Sequence, residues 1–186
     1  MEVFKLWVLV GGTGRNIGKT TLSELLINHL SNFGPVVGIK ISNIKPEGLK
    51  FHGTHKAKSD ANFFIWEETS TSGNKDSMRF LKAGAKKAFF IQTGDEFIQE
   101  AFQRMIQQLE GSEIVVCESN SLRNVMIPAM FFMIKGKRNH SSKGYVEKFF
   151  EMADYVVKSM DLEQFEKLSQ SLVLKDNRIE FSGDGP

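Results

Sequence analysis

A single cysteine, Cys117, stands in a chain of 186 residues, so no disulfide can close within the chain and no cysteine metal cluster can form. It lies in an apolar run, and the setting expected for it is reducing and cytoplasmic. Charge of one sign is equally scarce: 24 Lys+Arg against 22 Asp+Glu leave a formal net charge of +2. Nucleic-acid binders neutralise many phosphates and carry a marked basic excess, so a general nucleic-acid partner is not expected, although a local basic patch is compatible with this balance. Long apolar runs are missing as well. The longest, Met126 to Ile134, has nine residues and contains Pro128, well short of the roughly 20 that a membrane-spanning helix needs. The run Leu6 to Val10 stops at Gly11 with no small-residue cleavage pattern after it, so Met1 is expected to open the folded domain rather than a leader. There is no internal repeat and no low-complexity tract.

What is present is the material of a core. Hydrophobic residues make up 41% and charged residues 25% of the chain, which fits a single domain over residues 1–186 and argues against disorder. Short apolar runs alternate with helical patterns. Val3 to Val10 reads as a buried strand ending in a glycine-rich turn. Leu22, Leu25, Leu26, Leu30 and Phe33 then recur at the spacing of one helix face. Gly34-Pro35 ends that helix, and Val36 to Ile41 is a second strand. Further strands are expected at Ala88 to Gln92, Ile114 to Cys117, Ala129 to Ile134 and Tyr155 to Val157. Helices are expected at Asp76 to Ala85, Phe97 to Leu109, Tyr145 to Met152 and Leu162 to Leu168, with a weak strand or hairpin over Leu172 to Phe181. Strands separated by helices predict an α/β fold, a mostly parallel sheet with helices on both faces. Ligands in such sheets bind beyond the carboxyl ends of the strands, and the chemistry-bearing residues of this chain fall there.

The sharpest of these motifs is Gly11-Gly12-Thr13-Gly14-Arg15-Asn16-Ile17-Gly18-Lys19-Thr20-Thr21, between the first strand and the first helix. It reads as a phosphate-binding (Walker A) loop, and with it the fold reads as that of P-loop NTPases. Glycines let consecutive N–H groups turn toward phosphate oxygens, and the following helix adds its positive end. Lys19 would place a point charge on the β and γ phosphates, Thr20 would offer its hydroxyl to Mg²⁺, and Thr21 would lie beside the α phosphate. Arg15 would touch a phosphate or face water. The spacing departs from the usual one, because Thr13 stands where the pattern has glycine and Gly12 is followed by five residues before Gly18. Dethiobiotin synthetase and the ATP-dependent cobyrinic-acid amidases have a similar loop.

Beyond the loop, the second strand ends in Gly38-Ile39-Lys40, and Lys40 is a candidate for a second, anionic substrate. Val115-Val116-Cys117-Glu118 ends the fourth strand, and Glu118 is a candidate to hold Mg²⁺ directly or through water. Gly38-Ile39-Lys40, together with Lys75-Asp76-Ser77 spaced as it is from Lys82-Ala83-Gly84-Ala85, resembles the MobB family, the accessory proteins of molybdopterin-guanine dinucleotide biosynthesis. The resemblance covers roughly residues 3–135. It implies binding and slow hydrolysis of GTP or ATP with Mg²⁺, Lys19 and Glu118 carrying the chemistry, Asp76 and Ser77 near the metal and γ phosphate, an anionic second ligand such as molybdopterin, and a partner protein of that pathway. Asp76 also suits a plain helix cap. Two features depart from the family: Ser119-Asn120-Ser121 replaces a glycine after Glu118, and Ile41-Ser42-Asn43 stands in place of a histidine-rich stretch.

The segment Ser42 to Lys75 reads as a long loop or lid. Lys45, Lys50, Lys56 and Lys58 against Glu47 and Asp60 suit a polyanionic ligand or a solvated tip. Lys58-Ser59-Asp60-Ala61 resembles the dethiobiotin synthetase segment that supplies a metal-site aspartate, so Asp60 and Asp76 compete for one role. His52 and His55 lack the further ligands of a metal centre. With no Asn-Lys-x-Asp segment, adenine and guanine both stay open, and the candidates for base contacts are Lys135-Gly136-Lys137 and Lys158-Ser159-Met160-Asp161. Two rival functions accompany the first. One is an ATP-dependent ligase or kinase of the dethiobiotin synthetase type, its small carboxylate held by Lys40 and the Ser119-Asn120-Ser121 turn. The other is a nucleotide-gated adaptor docking a partner through Phe63, Phe64 and Trp66. A homodimer is compatible with each.

Overall fold

The structure is a computed structural model and describes residues 1–43, 62–136, 143–183 and 185. Strand β1, Glu2–Gly12, lies in the interior of the main sheet. Leu6, Val8 and Val10 enter one hydrophobic cluster while Trp7 and Leu9 enter another, because alternate side chains of a strand point to opposite faces. Both faces are therefore apolar, as a strand covered on two sides requires. The other strands of the main sheet are β2 Val36–Asn43, β3 Phe63–Glu68, β4 Lys87–Thr93, β5 Ile114–Glu118, β6 Met126–Lys135 and β7 Tyr155–Lys158. They lie in the order β3-β4-β2-β5-β1-β6-β7, with all pairs parallel except β3 against β4.

Helices cover both faces, as expected of an α/β fold. On one face the helices α1 (Lys19–Leu30) and α2 (Asp76–Lys82) join α5 (Leu162–Gln170) and the hairpin of β8 (Leu172–Lys175) and β9 (Arg178–Phe181). On the other face lie α3 (Ile98–Ile106) and α4 (Lys143–Glu151). Hairpin β8–β9 turns through Asp176 and Asn177, both at positive φ, 50° and 57°, which is the conformation that matches the twist of two paired strands.

Three expectations change in detail. Helix α1 stops at Leu30, so Ile27 joins Leu22, Leu26 and Leu30 in the core, whereas Phe33 lies past the end at 38% exposure. The segment 42–75 is not one loop: Ser42 and Asn43 finish β2, and residues 63–68 form β3, an antiparallel edge strand whose Phe63 and Ile65 pack on the core. Phe64 and Trp66, expected as exposed anchors, are half-buried on its other side. Residues 44–61 lie outside the described residues, and with them the lysines at 45, 50, 56 and 58, both histidines of that segment and Asp60. Strand β6 begins at Met126, earlier than expected, and includes Pro128. Its register against β1 shifts between Phe4 and Val8, a bulge of the kind that accommodates a residue without an N–H.

Close approach of α2 to the sheet depends on one glycine. A Cβ at Gly38 would stand 2.8 Å from the Cβ of Phe80, whose ring is fully buried. Gly38→Ala is expected to destabilise the fold by about 1–3 kcal/mol through overpacking, read as a lower urea midpoint with unchanged slope.

Candidate functional site

The loop between β1 and α1 is fixed from three neighbouring strand ends. Gly12 donates its N–H to Asn120 Oδ1 at 2.8 Å and accepts from Asn120 Nδ2 at 3.0 Å, so this side chain continues the β1–β5 ladder past its last backbone pair. Gly11 and Gly12 leave room for it: a Cβ on Gly11 would lie 2.5 Å from Asn120 Oδ1, and one on Gly12 would lie 3.0 Å from the Ile134 carbonyl oxygen. Thr13 donates its N–H to Ile134 O at 3.1 Å, and its hydroxyl accepts from the N–H of Gly136 at 2.8 Å. That bond to β6 accounts for a threonine where the usual spacing has glycine. Ser159, just after β7, donates to Ile17 O at 3.1 Å, and the Ile17 side chain packs on the core.

Gly18 then starts α1 at φ 101°, where a Cβ would meet the Phe165 ring at 2.8 Å; only glycine takes this conformation without strain. The start of α1 has neither a side-chain cap nor an acidic residue in its first turn. Its first N–H groups have no intrahelical acceptor, and the helix dipole adds positive character there. Lys19 and Thr20 are the first two residues of the helix. The Lys19 ammonium bends back and donates to the carbonyl oxygen of Gly14. Burial pushes its pKa below the usual lysine value, with the Glu118 carboxylate opposing.

Glu118 is the hub. Parallel register sets Val10, Glu118 and Lys40 side by side at the carboxyl ends of β1, β5 and β2. The Glu118 carboxylate, 2% exposed, accepts from Thr20 Oγ1 at 2.9 Å and from the Lys40 ammonium, and lies 3.8 Å from Lys19 Nζ. Lys40 also pairs with Asp76 Oδ2 at 3.0 Å. Asp76 thus faces the cluster from the first position of α2, which has no side-chain cap hydrogen bond. Its neighbour Ser77 does not: its hydroxyl donates to Glu68 Oε2 of β3 at 3.0 Å. Cys117 is fully buried, and burial together with the Glu118 charge pushes its thiol pKa up, which leaves it protonated and unreactive.

Arg15, Asn16, Gly18, Lys19, Thr20, Thr21, Lys40, Asp76 and Glu118 line a single cleft of about 500 Å³. Two carboxylates meeting one ammonium, with the Thr20 hydroxyl on one of them, are oxygen donors of the kind that suits a hard divalent cation. Magnesium is commonly held by one or two carboxylates plus substrate phosphates and water. Among the described residues no group of three or more His, Cys, Asp or Glu could hold a metal ion.

Two further cavities adjoin the loop. One of about 210 Å³ lies beyond Lys19, Lys40 and Glu118, against Gly12, Asn43 and the Ser119-Asn120-Ser121 turn. The other, about 580 Å³, is lined by Lys135, Gly136 and the stretch Lys158 to Leu162, where the base-contact candidates were expected; Lys137 lies outside the described residues. Met160, at φ 58°, borders both that cavity and the main cleft. Within it Asp161 caps α5, accepting from Gln164 N at 3.1 Å.

Two contacts carried no signal in the sequence. Arg79 forms a two-pronged pair with Glu24, at 2.8 and 2.6 Å, which ties α2 to α1. Asn120 clamps the loop from two residues past Glu118, a distance along the strand that its type alone does not announce. No family model and no curated protein matches the chain.

Asn120→Ala would leave the N–H and the carbonyl of Gly12 without partners, and a loss of about 1–3 kcal/mol is expected from equilibrium unfolding. The depressed Lys19 pKa has a pH signature. The unfolded chain binds the proton more tightly, so stability gained from losing it rises with pH in the window below 10.5. Lys19→Met should remove that increment, and wild type should gain on the variant as pH climbs through the window in parallel melts.

Proposed function

We propose that this protein is a P-loop nucleotide-binding protein that takes GTP or ATP with Mg²⁺, hydrolyses it slowly, and serves as an accessory in molybdenum cofactor maturation in the cytoplasm. The observation that carries the nucleotide reading is the convergence of Lys19, Thr20 and Glu118 at the mouth of a glycine loop between β1 and α1. The link to molybdopterin guanine dinucleotide rests on the resemblance of the Gly38-Ile39-Lys40 and Lys75-Asp76-Ser77 blocks to MobB proteins.

In this reading the loop N–H groups and the α1 N-terminus hold the β and γ phosphates, and the Lys19 ammonium leaves the Gly14 carbonyl for a phosphate oxygen. Thr20, Glu118 and Asp76 would hold Mg²⁺, which when bound neutralises charge on the phosphoryl oxygens. Lys19 and the amides, already in place, stabilise charge that grows on those oxygens as the γ phosphoryl group is attacked in line.

A second reading, a ligase or kinase acting on a small carboxylate, has one observation in its favour: the 210 Å³ chamber bordered by both Lys19 and Lys40. For the adaptor reading, Phe63, Phe64 and Trp66 lie half-buried in the edge strand β3.

Calorimetry with Mg²⁺ and ATP or GTP is expected to give a dissociation constant below the millimolar range for at least one, with Lys19→Ala lowering affinity at least tenfold while the domain stays folded by circular dichroism. Undetectable binding of both would overturn the reading. Glu118→Gln should reduce Mg²⁺-dependent turnover by more than it reduces nucleotide affinity, checked by phosphate release beside the same calorimetry.

A further inference from the structure

We infer that Lys40 orders the two halves of the site: it fills the cation position between Glu118 and Asp76 in the empty protein, and once displaced by the metal that comes with nucleotide it becomes the anion receptor of the adjoining chamber. The inference rests on the nucleotide reading above and adds to it a second ligand class, a small oxyanion, and an order of binding.

The argument starts from charge. Lys40 touches two carboxylates at once, Glu118 and Asp76, and Glu118 is almost wholly removed from water. Two carboxylates converging without a cation between them would repel each other and stay poorly solvated. The Lys40 ammonium, with its several donors, meets both and serves the empty protein as a stand-in ion. A divalent ion offers the same carboxylates twice the charge, but it brings a reluctant hydration shell and needs further oxygen ligands. Those ligands come with the phosphates of a nucleotide seated on the loop. The metal alone therefore meets an occupied position, whereas metal with nucleotide has the means to replace the lysine.

Geometry says where the lysine goes. Lys40 stands on the wall of both the main cleft and the 210 Å³ chamber, and its four-carbon stem can swing the charge from one to the other about a fixed backbone. The chamber offers it Ser119 and Ser121 as hydroxyl-bearing neighbours and Gly12 and Gly14 as open floor. At about 210 Å³ and open to solvent, the chamber has room for a carboxylate- or phosphate-sized group. A larger acceptor would insert only its anionic end. Freed from its carboxylates, Lys40 there is an unpaired cation in a small polar chamber beside Lys19, and its natural partner is an oxyanion.

The test uses the whole protein with Mn²⁺ as the paramagnetic probe for the metal, and acetate and inorganic phosphate as the probes for the chamber. Electron paramagnetic resonance should find no Mn²⁺ bound to wild type without nucleotide, and bound Mn²⁺ once a non-hydrolysable ATP or GTP analogue is added. Lys40→Gln should bind Mn²⁺ without nucleotide, at least tenfold more tightly than wild type, while Lys40→Arg should keep the position closed. In wild type, acetate or phosphate observed by NMR titration should bind at least tenfold more tightly with Mg²⁺ and the analogue present than without. The same anion should tighten the nucleotide by an equal factor, since the coupling is reciprocal. Which of the two probes gains more assigns a carboxylate or a phosphate acceptor. Equal Mn²⁺ binding to wild type with and without nucleotide overturns the inference, as does an anion affinity that nucleotide leaves unchanged. Phosphate that binds the empty protein and is expelled by nucleotide marks occupancy of the glycine loop and also counts against it. The wild-type measurements decide the matter even if Lys40→Gln fails to fold. Nucleotide binding without the ordering defeats this inference alone, whereas absence of nucleotide binding defeats the nucleotide reading and this inference together.

Discussion

A carboxylate buried at the end of an interior strand is expensive unless it is compensated, and Glu118 is compensated from three directions: Thr20 on α1, Lys40 on β2 and, at longer range, Lys19. The partners come from α1 and β2, so the charge at the end of β5 holds the first helix, the second strand and β5 in one arrangement. Breaking a buried pair of this kind by removing one partner typically costs about 3–5 kcal/mol. The cluster is thus a structural joint between these elements. Polar groups at that joint already stand in the positions that a charged ligand would otherwise have to organise.

The loop above it is held in the same spirit. Its backbone is tied by Asn120 just past β5, by Ile134 of β6 and by Ser159 beyond β7, and the Thr13 hydroxyl is held by Gly136 just past β6. None of the holding groups belongs to the glycine motif. Rigidity of the loop is supplied by the ends of neighbouring strands, and its glycines supply the room that those contacts need.

Much of this was legible from one dimension. Alternation of apolar runs and helical periods marked the strands and helices of the sheet, and the position of Lys19, Thr20, Lys40 and Glu118 at strand ends was enough to bring them together, because parallel strands gather their carboxyl ends on one side. What escaped the sequence has physical causes. Strand β3 was hidden because an edge strand of Phe63 to Glu68 is half-covered on both sides, which blurs a period-2 pattern. Asn120 and Arg79 act through partners far along the chain, 108 and 55 residues away, and no local spacing encodes a long-range hydrogen bond. Ser77 shares the sequence neighbourhood of Asp76, yet the first turn of α2 points the two side chains to different elements.

The interior place of β1 bears on how the chain comes to be folded. Its two ladder partners are residues 114–118 and 126–135, so Val10 meets Glu118 and Phe132 only across a long stretch of intervening chain. Until then an apolar interior strand has both edges open. Contacts of such sequence separation must be closed against chain entropy before they stabilise anything, which slows folding and lengthens the exposure of sticky segments. The glycine loop precedes in sequence every group that fixes it, so it acquires its shape only once the ends of β5, β6 and β7 are in place.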